Sequence, residues 1–215
     1  MSKEYGYIGK EVTQAFRDNK GIFTPQDIIE LDQENKWTNF GQLELIQTQT
    51  VSSGTTVDFT NFTDDKGNFY DTYFFTWNNL QIETAIDTLR CRVSEDGGST
   101  FVSTSSYDHA RVRCQIDGSF SDQNGQNDTY FNRIGQNNVN RAYNGYIYLY
   151  NATDSTKFTY ITSHHIDASG GLEAFNYYSG VYDVASLVNG FRFLLTGGSA
   201  TFKSGSLSQY GIRVF

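Results

Sequence analysis

Short segments of strictly alternating character recur from residue 43 onward, and they leave room for little except sheet. DTLRCRVS (87–94) sets Leu89, Cys91 and Val93 on one side and Arg90 and Arg92 on the other. ARVRCQI (110–116) repeats the device, with Val112, Cys114 and Ile116 expected inward and Arg111 and Arg113 outward. GYIYLYN (145–151) opposes Ile147 and Leu149 to Tyr146, Tyr148 and Tyr150. A period of two, carried by β-branched and aromatic residues, marks a strand with one face buried. LELIQTQTV (43–51), TTVDFT (55–60), YDTYFFTW (70–77), KFTYITSHH (157–165), GFRFLLT (190–196) and SGSLSQYGIRVF (204–215) bring the expected set to eight to ten strands. In the last of these, Leu207, Tyr210, Ile212, Val214 and Phe215 predict a strand central to the sheet.

Composition agrees. Seventeen Phe and 15 Tyr stand against one Met and one Pro, so a core must be built from residues that suit pleated surfaces, while 20 Gly supply turns. A length of 215 residues suits one large all-β domain, or a medium domain with an appended arm. The expected architecture is an antiparallel β-sandwich, jelly-roll-like. The polar stretch 117–142 reads as a long excursion with one short strand near 129–134, serving either a function or packing in an oligomer.

Residues 1–36 differ from the body expected at 37–215. Thr24 as N-cap, Pro25 at the first helical position and Asp27 closing a capping box predict a short helix over 25–33, with Ile28, Ile29 and Leu31 covering one side. Before it, Tyr5, Tyr7, Ile8, Val12, Phe16, Ile22 and Phe23 follow no period. Such a segment cannot bury enough to fold alone. It is either a loose tail or an extended arm that orders on another subunit, with Tyr5, Tyr7, Ile8, Phe16 and Phe23 as docking side chains.

The net charge is −8. Phosphate neutralisation needs clustered Lys and Arg, so nucleic acid is an unsuitable partner, and so is an anionic membrane surface. No apolar run approaches the roughly 20 residues of a membrane span, and the N-terminal residues lack the apolar core of a signal peptide. The expectation is synthesis in a cytoplasm, with assembly the route elsewhere.

Few motifs suggest chemistry. SEDGGSTF (94–101) fits an Asp-box hairpin through Ser94, Asp96, Gly98, Thr100 and Phe101, in which the carboxylate accepts turn N–H groups and the aromatic packs beneath. Its role is structural. TDDKGN (63–68) resembles part of a calcium loop but lacks the later carboxylate such a loop needs, and reads as an acidic hairpin turn. His164 and His165 are adjacent on a strand and so face opposite ways, which prevents joint chelation. Cys91 and Cys114 are expected as reduced strand residues, although neighbouring strands would let them pair. No nucleophile elbow, H-E-x-x-H or phosphate-loop motif occurs, and no cofactor is expected. Tyr146, Tyr148 and Tyr150, with Tyr177, Tyr178 and Tyr182, are candidates for a sugar-stacking platform, or for a face covered by a neighbouring chain.

The ending FRFLLTGGSATFKSGSLSQYGI resembles the closing strands of tailed-bacteriophage virion structural proteins, and GYIYLYN, YDTYFFTWNNL, LRCRVSEDGGSTF and the lead-in YGYIG…GIFTPQDIIEL…NKW are similar to their counterparts there. The polar stretch 117–142 departs from that pattern. The resemblance implies a non-enzymatic virion component: a tail-fibre or adaptor protein docked through its N-terminal arm, with a β-sandwich exposed for host attachment. The alternatives are a capsid decoration or head-fibre protein, or a module binding a host-surface glycan. The partners implied are other virion proteins and, through closed symmetry, two further copies in a homo-trimer.

Overall fold

The computed structural model describes residues 25–33, 43–83, 87–137, 141–169, 172–197 and 200–213. They fall into two units, one within residues 1–42 and one spanning 43–215. In the first unit, helix α1 (Pro25–Gln33) forms where the Pro25 signal predicts it, and Gln26 donates to Glu30 one turn on, at 3.0 Å. Ile29 is exposed on this helix. Thr24, the Asp27 side chain and the docking candidates Tyr5, Tyr7, Ile8, Phe16 and Phe23 lie outside the described residues. The body begins at Leu43, beyond the boundary expected at 36.

The body is all-β and antiparallel. Its strands are β1 (Glu44–Thr50), β2 (Thr56–Phe59), β3 (Thr72–Ile82), β4 (Asp87–Ser94), β5 (Tyr107–Gln115), β6 (Phe120–Asp128), β7 (Phe131–Asn137), β8 (Tyr143–Tyr150), β9 (Thr159–Ser169), β10 (Leu172–Tyr182), β11 (Gly190–Leu195) and β12 (Phe202–Ile212). One sheet runs β1-β12-β3-β8-β9-β10-β5-β6 and the other β2-β11-β4-β7. The half β1-β12-β3-β8 set against β2-β11-β4-β7 is the strand order of a jelly roll. Two hairpins interrupt that roll, β5–β6 between β4 and β7, and β9–β10 between β8 and β11. Both hairpins add to the same sheet and widen it to eight strands.

The core follows from the alternation. Tyr73, Phe75 and Trp77 of β3 point inward and are fully buried against Phe191 and Phe193 of β11 and Phe59 of β2. Leu89, Cys91 and Val93 of β4 and Ile147 and Leu149 of β8 are buried as their spacing predicts. On the smaller sheet, Arg192 pairs with Asp58 through both nitrogens at 2.6 Å, the two-pronged geometry that favours arginine. The last strand is indeed internal, between β1 and β3. Val214 and Phe215 lie outside the described residues. Gly205 interrupts β12 with φ +127, where the ladder to β3 shifts register opposite Asn79 and Leu80.

Strand β5 corrects the sequence expectation. Arg111 is 4% exposed, while Val112 is 47% and Ile116 58% exposed. The strand is therefore turned over, since a slip of one residue exchanges its faces. The physical reason lies in what the added hairpins cover. Beneath them the interior is mixed: His165 and Ser163 of β9, Asn176 of β10 and His109 of β5 are buried there beside Ile161, Tyr178 and Tyr182. Arg111 and Arg133 of β7 both donate to the Gln123 side chain. The stretch 117–142 also departs from expectation. It contains the whole of both β6 and β7, and β6 stands at the end of its sheet. Strand β10, lacking a clean alternation, is a further element that sequence reading does not separate.

Burial of His165 has a consequence for acid stability. Loss of hydration, with the charges of Arg111, His164 and Arg113 adding to it, pushes its pKa down to about 3. Desolvation lowers His109 as well, against the opposing pull of Asp128. An unfolded histidine titrates near 6.5, so the unfolded state gains protons below that pH while the folded state resists them until near 3. Stability is full above pH 6.5 and falls as the pH drops through this window. From pH 7 to 5 the loss for His165 alone comes to about 2 kcal/mol. Urea midpoints at the two pH values check this, and a flat profile between them contradicts it.

Candidate functional site: an aromatic sheet face

The outer face of the larger sheet is built by strands whose inner positions are committed to the core. Alternation then places Phe74 of β3, Tyr146, Tyr148 and Tyr150 of β8, and Tyr210 of β12 outward. Antiparallel register brings them together: Tyr210 lies opposite Phe74, which lies opposite Tyr148. The ring of Phe74 sits 5.9 Å from Tyr210, 4.6 Å from Tyr148 and 5.6 Å from Tyr146. Tyr148 and Tyr150 are 6.0 Å apart with planes 20° from parallel. These separations are those of interacting aromatic pairs, so the rings hold one another in place.

The face continues into the added hairpins. Tyr146 is opposite His164 of β9, and His164 is opposite Tyr177 of β10. Tyr146 Oη and His164 Nδ1 are 2.7 Å apart, and the His164 and Tyr177 rings meet edge to face at 4.6 Å. Tyr150 and Thr162 share a hydroxyl contact at 3.2 Å. At this end the face opens into a hollow of about 300 Å³ lined by Asn144, Tyr146, His164, Ile166, Phe175 and Tyr177. A further hollow lies across Tyr177, where Ala110 and Ser179 are too small to fill the space between the larger side chains.

Beyond Tyr177 the character changes. Ile166, Phe175, Cys114 and Phe120 lie opposite one another in a single row across four strands, β9, β10, β5 and β6. Phe120 is 73% exposed and Phe175 49%. With Val112 and Ile116 they make an apolar end to an otherwise hydroxyl-rich surface.

The three tyrosines Tyr146, Tyr148 and Tyr150 thus share one face, with Tyr177. Tyr178 and Tyr182 do not: both point inward and are buried, because they alternate with Tyr177 along β10. Phe74, Tyr210, His164 and Phe175 complete the surface. They come from strands distant in sequence, and only the register joins them.

The remaining motifs are local structure. In the hairpin after β4, the Ser94 hydroxyl donates to Asp96 at 2.7 Å and accepts from the Gly98 N–H at 2.8 Å. Asp96 accepts from both the Thr100 N–H and hydroxyl, which with Ser94 hold its carboxyl at about 2. Gly98 has φ +90, and a Cβ there would meet Thr60 at 2.2 Å. The Phe101 ring lies under the Arg192 guanidinium at 3.9 Å, which ties the hairpin to the ion pair with Asp58. In TDDKGN, desolvation works to raise the Asp64 carboxyl, but Arg213 and the N–H groups of Asn68 and Lys66 outweigh it and hold it well below the ordinary range. That carboxylate is occupied in closing a turn. His165 is buried and His164 exposed, facing opposite ways as adjacency requires. Cys91 and Cys114 are free thiols on strands of different sheets. Among the described residues no group of three or more His, Cys, Asp or Glu is placed to hold a metal ion. Among the described residues no helix is long and apolar enough to cross a membrane.

The fold and face define a widened jelly-roll sandwich with an uncharged aromatic surface. No family model matches the sequence, and no curated protein matches it. Among solved structures, a fructofuranosidase variant from Schwanniomyces occidentalis complexed with fructosylnystose is similar over 80% of this chain and 34% of its own, at 7% identity and a TM-score of 0.23. This chain spans about a third of that protein, and at that TM-score the likeness carries no argument.

Proposed function

We propose that this chain is a non-enzymatic virion structural protein of a tailed bacteriophage, a tail-fibre or adaptor component that docks through residues 1–36 and displays its β-sandwich. The observation that supports this best is the exposed apolar row at the β5–β6 end of the sheet, Val112, Ile116 and Phe120. Neighbouring exposed apolar side chains on an antiparallel sheet mark a surface that works in contact with a partner. A row at the wide end of the sheet suits packing against other virion proteins, in a closed trimer of this chain. The sequence resemblance at GYIYLYN and the YGI ending points the same way.

Two experiments test the division of labour. Deleting residues 1–36 leaves a sandwich with an unchanged thermal midpoint that no longer joins particles; normal incorporation of the truncated chain defeats the proposal. Replacing Phe120 by Asp, at a 73% exposed position, lowers incorporation roughly tenfold without lowering the midpoint. Particle-associated copies counted by quantitative mass spectrometry read both.

A further inference from the structure

The aromatic face differs in chemistry from the apolar end of β5 and β6, and meets it at Ile166 and Phe175, which line the hollow. We propose that the surface from Tyr210 to Tyr177, with the hollow between Tyr146 and Tyr177, binds an uncharged oligosaccharide. The inference rests on the reading of the body as the displayed half of an attachment protein, and it names the ligand.

Three observations carry it. The first is the pairing of ring faces with hydroxyls. A pyranose offers an apolar C–H face and a rim of hydroxyls, so its receptor needs flat apolar rings interleaved with neutral donors and acceptors. Tyrosine provides both in one side chain. Here Tyr146, Tyr148, Tyr150 and Tyr177 are accompanied by Thr162, Ser179 and Asn144, with Ile166 and Phe175 closing one side of the hollow. Ligand sites of this kind combine aromatic walls with a few placed polar groups.

The second is charge. Follow the outward positions from Ser208 and Tyr210 on β12 to Tyr177 and Ser179 on β10, through Thr72–Thr76, Tyr146–Tyr150 and Tyr160–His164. No Asp, Glu, Lys or Arg occupies any of them. The chain as a whole carries −8. An acidic glycan would find no cation on this face and would be repelled by the rest of the molecule, so charge selects a neutral ligand. A protein segment of ordinary composition would find no ion-pair partner there either.

The third is rigidity. The rings already touch one another at 4.6–6.0 Å, and the Tyr146–His164 hydrogen bond fixes the wall of the hollow. A surface ordered in advance loses little entropy on binding, which suits a ligand with modest contact area.

The test uses the full chain. A panel of neutral oligosaccharides, comprising glucans, galactans, mannans, xylans and N-acetylated amino sugars, is presented beside uronic-acid and sulfated counterparts of equal length. The expected result is binding to at least one neutral member, at least tenfold tighter than to its acidic counterpart. Tyr177→Ala and Tyr146→Ala each weaken that binding roughly tenfold while the sandwich stays folded at the assay temperature, whereas Phe120→Ser leaves it unaltered. Tyr177→Phe keeps most of the affinity, because the ring remains. Absence of binding to every neutral member, or preference for an acidic one, overturns the proposal. So does light scattering in which Tyr177→Ala splits an oligomer into monomers, since the face is then covered by a second copy. Particle incorporation is measured separately on the same variants. Lost glycan binding with normal incorporation agrees with both readings. Normal incorporation after deletion of residues 1–36 overturns only the assignment of docking to that arm.

Discussion

Phe75→Ala lowers the stability of the sandwich by about 4 kcal/mol, the loss expected when a large ring is removed from a core that cannot close around the gap. Phe75 is fully buried in β3. It stacks on Phe191 at 4.7 Å and meets Phe59 and Phe193 edge-on at 5.4 and 6.0 Å. Phe59 and Phe193 also touch each other at 6.1 Å, so each ring is held by others that are themselves fixed to different strands. Collapse into the vacancy would require β2, β3 and β11 to move together. For a domain of this size the thermal midpoint drops by roughly 10 °C. Calorimetry reads the change directly, and a drop of under about 3 °C would show that the two sheets are not packed through this cluster.

Gly205→Ala costs about 3 kcal/mol through the backbone, with no loss of buried apolar area. A Cβ at this position would lie 2.7 Å from Leu80 Cα and 2.9 Å from Asn79 O. Both are main-chain atoms, so no side chain can swing aside. The φ of +127 adds strain for any L-residue. The Gly205 carbonyl also accepts from the Val51 N–H at 3.0 Å, linking β12 to the end of β1. The urea midpoint falls while its slope stays constant, because the same surface is exposed on unfolding. An alanine variant as stable as the parent would mean that the bulge relaxes freely.

Much of this architecture can be read in the residues, and the exceptions share one cause. Strands β4 and β8 separate aromatic core from surface, so Leu89, Cys91, Val93, Ile147 and Leu149 announce their faces. Strand β5 has the same alternation with the sign reversed, because Arg111 and Arg113 turn toward a mixed interior beneath the added hairpins. Hydrophobic pattern assumes that inside means apolar, and there polar and apolar side chains are buried together. Strand β10 mixes Ala174, Asn176, Tyr178 and Gly180 on one face with Phe175, Tyr177 and Ser179 on the other, so no period emerges. Strand β6, FSDQNGQND, is an edge strand with little to bury. The candidate site divides similarly. Tyr146, Tyr148 and Tyr150 are visible as one run, whereas Phe74, Tyr210, His164 and Tyr177 join them only through long-range register.

The two inserted hairpins leave the roll at separate points of the chain, yet β5 and β10 are zipped together along nine residue pairs from Tyr107–Tyr182 to Gln115–Ala174. They form a single wing with two roots. Losing both would return a four-on-four roll, but losing either alone would bare a raw edge of the other and strip one lip from the hollow beside Tyr146. The wing can therefore be removed or replaced only as a unit, while β3, β8 and β12 of the roll keep Phe74, Tyr146, Tyr148, Tyr150 and Tyr210 in place.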